Sequence, residues 1–335
     1  MPPPACEPAA QVVPAPAVVS PPTAARTEHY ALRPGDRSPL FYERYDPGRP
    51  GAPAVALCDG IGCDGYVWRY LIRALAPRAR LVHGHYPGHG RSPRPRDGAR
   101  LAIADLADDV AALLDDADID RATLVGHSMG VQVALETYRR HPDRVAALVL
   151  VCGAPGSPLR TFRGTSAAAR VLPVLRAAAG AAPRAIGGVW RAFTPTRAAL
   201  WLAARIEING ALIDPDDFRP YLDGLARVDP NLFLALLTEA NRHSALDVLP
   251  RVAVPALVVA GDRDGFTPAS LSRRMAADIP RAELVVVEGG SHTAPLERPH
   301  QVERAVIDFL TRRVWRAGAA RGDRPSPSHS PSPPS

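Results

Sequence analysis

A doubly wound, mostly parallel α/β sheet with an inserted helical segment is the fold class this sequence predicts. Three observations carry that expectation. Short apolar runs recur at Ala54–Cys58, Arg80–His83, Ala122–Val125, Val145–Val151, Ala256–Ala260 and Leu284–Val287, the pattern of strands buried on both faces. Stretches of helical periodicity lie between most of them, as the crossovers of parallel strands require. From Pro155 to about Val248 the alternation lapses. There an Ala-, Leu- and Arg-rich stretch is cut by prolines at 173, 183, 195, 215, 220 and 230, which reads as several short helices between two strands.

The elements follow in order. Residues 1–28 are rich in Pro and Ala without periodicity, and residues 317–335 end in P-S-P-S-H-S-P-S-P-P-S. Neither can bury enough apolar surface to offset its ordering entropy, so both are expected to be disordered tails. The core then comprises 29–154 and 249–316, with 155–248 inserted. Pro39–Tyr45 alternates enough to be an early strand, and Ala54–Cys58 runs into D-G-I-G-C-D-G before a helix at Tyr66–Ala76. After Arg80–His83 comes a turn, P-G-H-G-R-S. Ile103–Asp118 is an amphipathic helix with Ile103, Leu106, Ala107, Val110, Leu113 and Leu114 on one face. Pro268–Asp278 and Leu296–Trp315 are read as the last helices.

Composition excludes several classes. At 335 residues the chain slightly exceeds one core. Its formal charge is +6, and all 40 basic residues are arginine, with no lysine anywhere. They are not gathered into a stripe interleaved with aromatics, so the charge does not argue for nucleic acid. No apolar run is long enough to span a bilayer, and the N-terminus lacks the basic start and apolar stretch of a secretory signal. A cytoplasmic protein is expected. Cys6, Cys58, Cys63 and Cys152 show no metal-binding spacing and are expected to be reduced. His83, His85 and His89 form H-x-H-x-x-x-H, which invites a zinc reading, but no further ligand cluster stands beside them. No metal and no cofactor are expected. Oligomeric state is not legible.

The chemistry centres on Gly126-His127-Ser128-Met129-Gly130. This G-x-S-x-G follows a predicted strand and opens a predicted helix that Pro142 stops, and the two glycines relieve crowding in a very tight turn. Such a turn lifts the Ser128 hydroxyl above the sheet edge in front of the first helical N–H groups.

This stretch resembles the nucleophile elbow of the α/β-hydrolase family, and the similarity runs from about Ser38 to Val314. The resemblance implies a serine nucleophile followed along the chain by an acid and then a histidine. Gly261-Asp262-Arg263-Asp264 resembles the family's acid turn and maps the acid to Asp264, leaving Asp262 to tie the loop. Glu288-Gly289-Gly290-Ser291-His292 resembles its final loop, making His292 the base. The oxyanion donors would be the backbone N–H groups of Met129 and Ile61. In the second loop this sequence departs from the family, with Asp59-Gly60 in place of His-Gly, and a carboxylate there disfavours an anion unless it points away or is neutralised. Val131, where the family often has Gly, narrows the helix start. The insertion becomes a cap, and Cys63, Trp190 and Phe266 become candidates to line the pocket.

The expected function is a serine hydrolase acting through an acyl-enzyme on a carboxylic ester or thioester of a small lipophilic molecule. The same residues would serve cofactor-free C–C bond cleavage or perhydrolysis of the haloperoxidase type. A different class, a non-catalytic binding protein on the same scaffold, would typically lack a triad member.

Overall fold

A computed structural model describes residues 24–96, 99–160, 162–206 and 208–316. The first elements are β1 (Ala25–Leu32), β2 (Pro39–Asp46), β3 (Ala54–Cys58), α1 (Arg69–Leu75) and β4 (Arg80–Gly84). Next come α2 (Ile103–Asp116), β5 (Ala122–His127), α3 (Met129–Arg140) and β6 (Val145–Val151). Five helices then intervene: α4 (Ala167–Ala181), α5 (Pro183–Phe193), α6 (Arg197–Ile206), α7 (Pro215–Arg227) and α8 (Pro230–Arg242). The chain rejoins the sheet through β7 (Ala256–Gly261), α9 (Ala269–Asp278) and β8 (Ala282–Val287), and ends in α10 (Ala294–Glu297) and α11 (Pro299–Leu310).

The eight strands form one sheet in the order β1-β2-β4-β3-β5-β6-β7-β8. From β4 to β8 every pairing is parallel, while β2 is antiparallel to both β1 and β4. The central strands β3, β5 and β7 are buried at every residue, which is why they lack the polar alternation of a half-exposed strand. One apolar layer packs α2 and α3 on the sheet through Leu106, Leu114, Val133 and Leu135. The other packs α1 and α11 through Leu71, Leu75, Val306 and Phe309.

The structure corrects three boundaries. The N-terminal tail does not reach residue 28, because Ala25–Leu32 is strand β1, in register with β2 from Ala25↔Asp46 to Leu32↔Pro39. It is an edge strand. Only Ala31 is buried, Tyr30 and Leu32 are half exposed, and Arg26 pairs with Glu28 and Glu43, so its composition is that of a surface and hides it from a hydrophobicity reading. The expected helix Leu296–Trp315 is broken at Arg298 (φ −135°, ψ 54°), since Pro299 bars the helical conformation from the residue before it. The expected helix Tyr66–Ala76 opens as a tight 3₁₀ turn, Tyr66–Trp68, before α1 begins. The remaining tail expectations, residues 1–23 and 317–335, lie outside the described residues.

The five helices of the insertion leave between adjacent strands, β6 and β7. Their neck is closed by backbone: Gly156 bridges Ser244, and Ala245 N–H donates to Pro155 O at 2.8 Å. Among the described residues no helix is long and apolar enough to cross a membrane.

Candidate active site

Ser128 sits at the bend between β5 and α3 with φ 55° and ψ −117°, a conformation that L-residues adopt only under constraint. Backbone bonds hold it there. Ser128 N–H donates to Val151 O (3.1 Å), and Val131 N–H donates to Ser128 O (3.1 Å). The glycines of the motif are sterically required. A Cβ on Gly126 would lie 2.3 Å from Gly130 O, and one on Gly130 would lie 2.0 Å from Cys58 O. Val131 is accommodated by Gly153, whose missing Cβ would sit 2.4 Å from the valine methyl. The extra bulk after the elbow is thus offset by a gap at the end of β6.

The loops after β7 and β8 bring the other two side chains to this bend. His292 Nε2 lies 2.9 Å from Ser128 Oγ, and His292 Nδ1 lies 3.0 Å from Asp264 Oδ2. With Nδ1–H donating to the carboxylate, Nε2 is left bare to accept from the serine hydroxyl. Asp264 is buried and accepts three further bonds, all at 2.8 Å: Phe266 N–H and Thr267 N–H on Oδ1, Thr267 Oγ–H on Oδ2. Burial pushes its pKa up, but the neighbouring His292 and these donors outweigh burial and hold it below the usual carboxylate value. The preference for Asp264 over Asp262 is matched by position. Asp262, expected to tie the loop together, has an exposed side chain. The tie is backbone, with Asp262 N–H donating to Val287 O (3.2 Å) and Arg263 N–H to Gly290 O (2.9 Å).

Four groups that the sequence did not single out hold this arrangement. Thr267 is one. Glu297 of α10 accepts from Ser291 N–H (2.6 Å), Ser291 Oγ–H (2.5 Å), Thr293 Oγ–H (2.9 Å) and Asn209 N–H (2.7 Å), clamping the loop that carries His292. Asn209, from the insertion, also donates its side-chain amide to Gly289 O (2.9 Å). His127 Nε2 donates to His292 O at 2.8 Å. Burial and the adjacent His292 push the pKa of His127 down to about 4, so this ring is neutral and serves as a strut.

A narrow cleft opens beside Ser128. Its lining includes Ile61, Met129, Gln132, Leu237, Ala240 and Phe266, and its free volume is only about 10 Å³, room for little more than one water. Phe266 lines it as expected, and its ring lies 4.9 Å from that of His292. Two other expectations fail. Cys63 is buried against Val67 and its neighbours and points its thiol at Ile61 O (3.6 Å). Trp190 packs on Phe233 (5.4 Å between rings) and donates to Leu225 O (2.8 Å). Both take part in packing the insertion and the loop after β3, and neither is among the residues that line the cleft. Met129 N–H is the first amide of α3 and has no carbonyl one turn back. Among the described residues neither it nor Ile61 N–H has a protein acceptor.

The Asp59 carboxylate is turned away and paired. It is fully buried, with Oδ2 2.9 Å from His83 Nε2. Burial alone would lower the His83 pKa, but Asp59 and Glu43 (4.0 Å from Nδ1) outweigh it and raise the pKa to about 10. The imidazolium therefore cancels the carboxylate beneath the loop that follows β3. The three histidines that suggested zinc are bracing groups. His85 Nδ1 accepts from Arg91 N–H (2.9 Å), and His89 accepts from Gly62 N–H (3.2 Å) while donating to Pro87 O (3.0 Å). Tyr86 Oη–H donates to Asp59 O (3.0 Å). Among the described residues no group of three or more His, Cys, Asp or Glu is placed to hold a metal ion.

The His83 pair sets an alkaline limit. Its folded pKa lies above the unfolded value of 6.5, so its stabilisation is complete below about pH 6.5 and fades as pH rises toward 10. Thermal melts between pH 6 and 10 are expected to show a falling Tm for the natural protein. In His83→Phe the melt is lower throughout and its fall across this window shallower.

Comparison with known proteins agrees with this geometry. A family model described as the alpha/beta hydrolase fold matches residues 53–299. The chain is 31% identical over 267 residues to the dihydrolipoyllysine-residue acetyltransferase component of the acetoin cleaving system of Pseudomonas putida. That match covers 79% of this chain and only 65% of the relative. It is 27% identical to a putative carbamate hydrolase from a Caulobacter species, over 81% of this chain and 96% of the other. Among solved structures, the enol-lactonase from Burkholderia xenovorans superposes with a TM-score of 0.64 at 25% identity, covering 84% of this chain and all of that one. The eight-stranded sheet, the elbow at its centre and the family match together place this chain in the α/β hydrolase fold family.

Proposed function

We propose that the protein is a serine hydrolase that cleaves a carboxylic ester or thioester of a small lipophilic substrate through an acyl-enzyme. The observation that carries the reading is the unbroken hydrogen-bond series from Ser128 through His292 to Asp264, beside a largely apolar cleft. Ser128 Oγ attacks the acyl carbonyl while His292 Nε2 takes its proton. Asp264 keeps the imidazole in the required tautomer and stabilises the imidazolium. The negative charge developing on the carbonyl oxygen is met by the N–H groups of Met129 and Ile61, which have no competing acceptor among the described residues. His292 then protonates the leaving group. Water, activated by the same imidazole, releases the acid.

The cleft favours a short or flat acyl group, since Leu237 and Ala240 of α8 and Phe266 close on Ser128. Neutralisation of Asp59 by His83 removes the main electrostatic objection to an oxyanion at this loop. The relatives support acyl chemistry in general terms, for one is named a putative carbamate hydrolase and one an enol-lactonase, a lactone being an internal ester. A panel of short p-nitrophenyl esters, with a fluorophosphonate probe followed by peptide mapping, tests the reading. Turnover of the shortest esters and a single label on Ser128 are expected. A folded protein that neither turns over nor labels would reject it and leave a binding role.

A further inference from the structure

The net charge of this protein has an address. From Thr165 to Ile206 there are six arginines and no aspartate or glutamate, while the rest of the chain sets 34 arginines against 34 acidic residues. The whole formal +6 therefore resides in α4, α5 and α6. Arg170, Arg176, Arg184, Arg191 and Arg197 are all exposed, and among the described residues none of the five is in an ion pair.

The same helices carry most of the large apolar side chains that are exposed among the described residues. Val171, Val174 and Leu175 of α4 are 50–67% exposed, Val189 and Phe193 of α5 are 67% and 44% exposed, and Leu202 of α6 is 41% exposed. On α4 the spacing is i, i+3, i+4, and on α5 it is i, i+4, so each set forms a stripe on one helical face. Over Arg163–Leu202 only Leu172, Ala179, Gly187, Thr194 and Ala199 are buried. An ordinary solvated helix face carries charges of both signs and few branched aliphatics. These helices carry one sign of charge and, on other flanks of the same helices, exposed Val, Leu and Phe. That is the composition of helices that lie in the plane of a membrane surface, with apolar groups at the headgroup–acyl boundary and guanidiniums on phosphates.

We propose that the α4–α6 face docks the protein on an anionic lipid surface. Charge decides between the possible occupants. A second copy would bring the five exposed arginines against another five and be repelled, whereas acidic lipid headgroups complement the field. A guanidinium also meets a phosphate bidentately, which suits arginine. Helix α4 packs on α8, whose Leu237 and Ala240 wall the cleft, so the docked face lies one helix layer from Ser128. The docking is independent of the catalytic reading, because it needs only the surface of the insertion.

Flotation of the full-length chain with vesicles tests the proposal. With vesicles of phosphatidylcholine and phosphatidylglycerol at low ionic strength the protein is expected to float. With phosphatidylcholine alone it stays in solution, and added salt releases it from the mixed vesicles. The triple variant Arg176→Gln/Arg184→Gln/Arg191→Gln is expected to partition about a hundred-fold more weakly, and Val174→Ser/Val189→Ser also weakens binding. These are surface positions, so circular dichroism melts should match the natural protein. Failure to float on the mixed vesicles, or equal uptake by both kinds, overturns the proposal. So does a mass by light scattering that doubles with concentration and returns to monomer in Val174→Ser/Val189→Ser, which would assign the face to a second copy.

Discussion

Replacing Ser128 with alanine is expected to lower kcat for a short p-nitrophenyl ester by about 10⁶-fold with little change in KM. The substitution removes only an oxygen. Ser128 is held by backbone bonds to Val151 and Val131 rather than by its hydroxyl, so the fold and the cleft survive. His292→Ala is expected to cost about as much, because without a base 2.9 Å away the hydroxyl stays protonated and unreactive. Combining the two should cost no more than either alone, since both break one proton transfer. Asp264→Asn retains the shape but presents an amide to His292 Nδ1, favouring the wrong tautomer, with an expected loss of about 10⁴-fold. Stopped-flow or steady-state hydrolysis measures each. Additive losses in the double variant, or a Ser128→Ala protein that keeps its rate, would show that the three side chains do not work as one unit.

Gly130→Ala is the second large effect, and it acts on structure first. The added methyl would stand 2.0 Å from Cys58 O and 2.7 Å from Asp59 O. Both are backbone atoms at the end of a fully buried strand, so no side chain can rotate to relieve the overlap. Either α3 shifts away from β3 or the turn unwinds. The expected cost is about 3 kcal/mol or more, beyond ordinary overpacking because the clash is with main chain. Displacement of α3 also moves Met129 N–H relative to Ile61 N–H, so activity should fall even in whatever fraction remains folded. A denaturant titration alongside the ester assay separates the two losses. A variant with unchanged midpoint and rate would mean that the close approach of α3 to β3 is not required.

The elbow was legible because steric law is local. A strand, two glycines around a serine and a helix stopped by Pro142 leave few alternatives, and the buried strands announce themselves by their lack of polar residues. Asp264 and His292 were legible from loops that follow such strands. The supports were not. Glu297 meets Asn209 across 88 positions, and His127 meets His292 across 165. A single polar residue whose partner is that distant leaves no periodic mark. Asp59 posed a question that its own neighbours in sequence could not answer, because its counter-charge is His83 on another strand. Cys63 and Trp190 misled for a related reason: which side of a loop or short helix faces the cleft is set by packing, and spacing does not reveal it. Strand β1 escaped because an edge strand with one covered face is written in surface residues.

The neck at Gly156 and Ser244 has an evolutionary corollary. Because the chain leaves and re-enters the sheet through two neighbouring strands sealed to each other by main-chain bonds, insertions, deletions and wholesale replacement between those points leave the strand order untouched. Natural selection can therefore redraw the insertion on a different clock from the sheet and the elbow it carries.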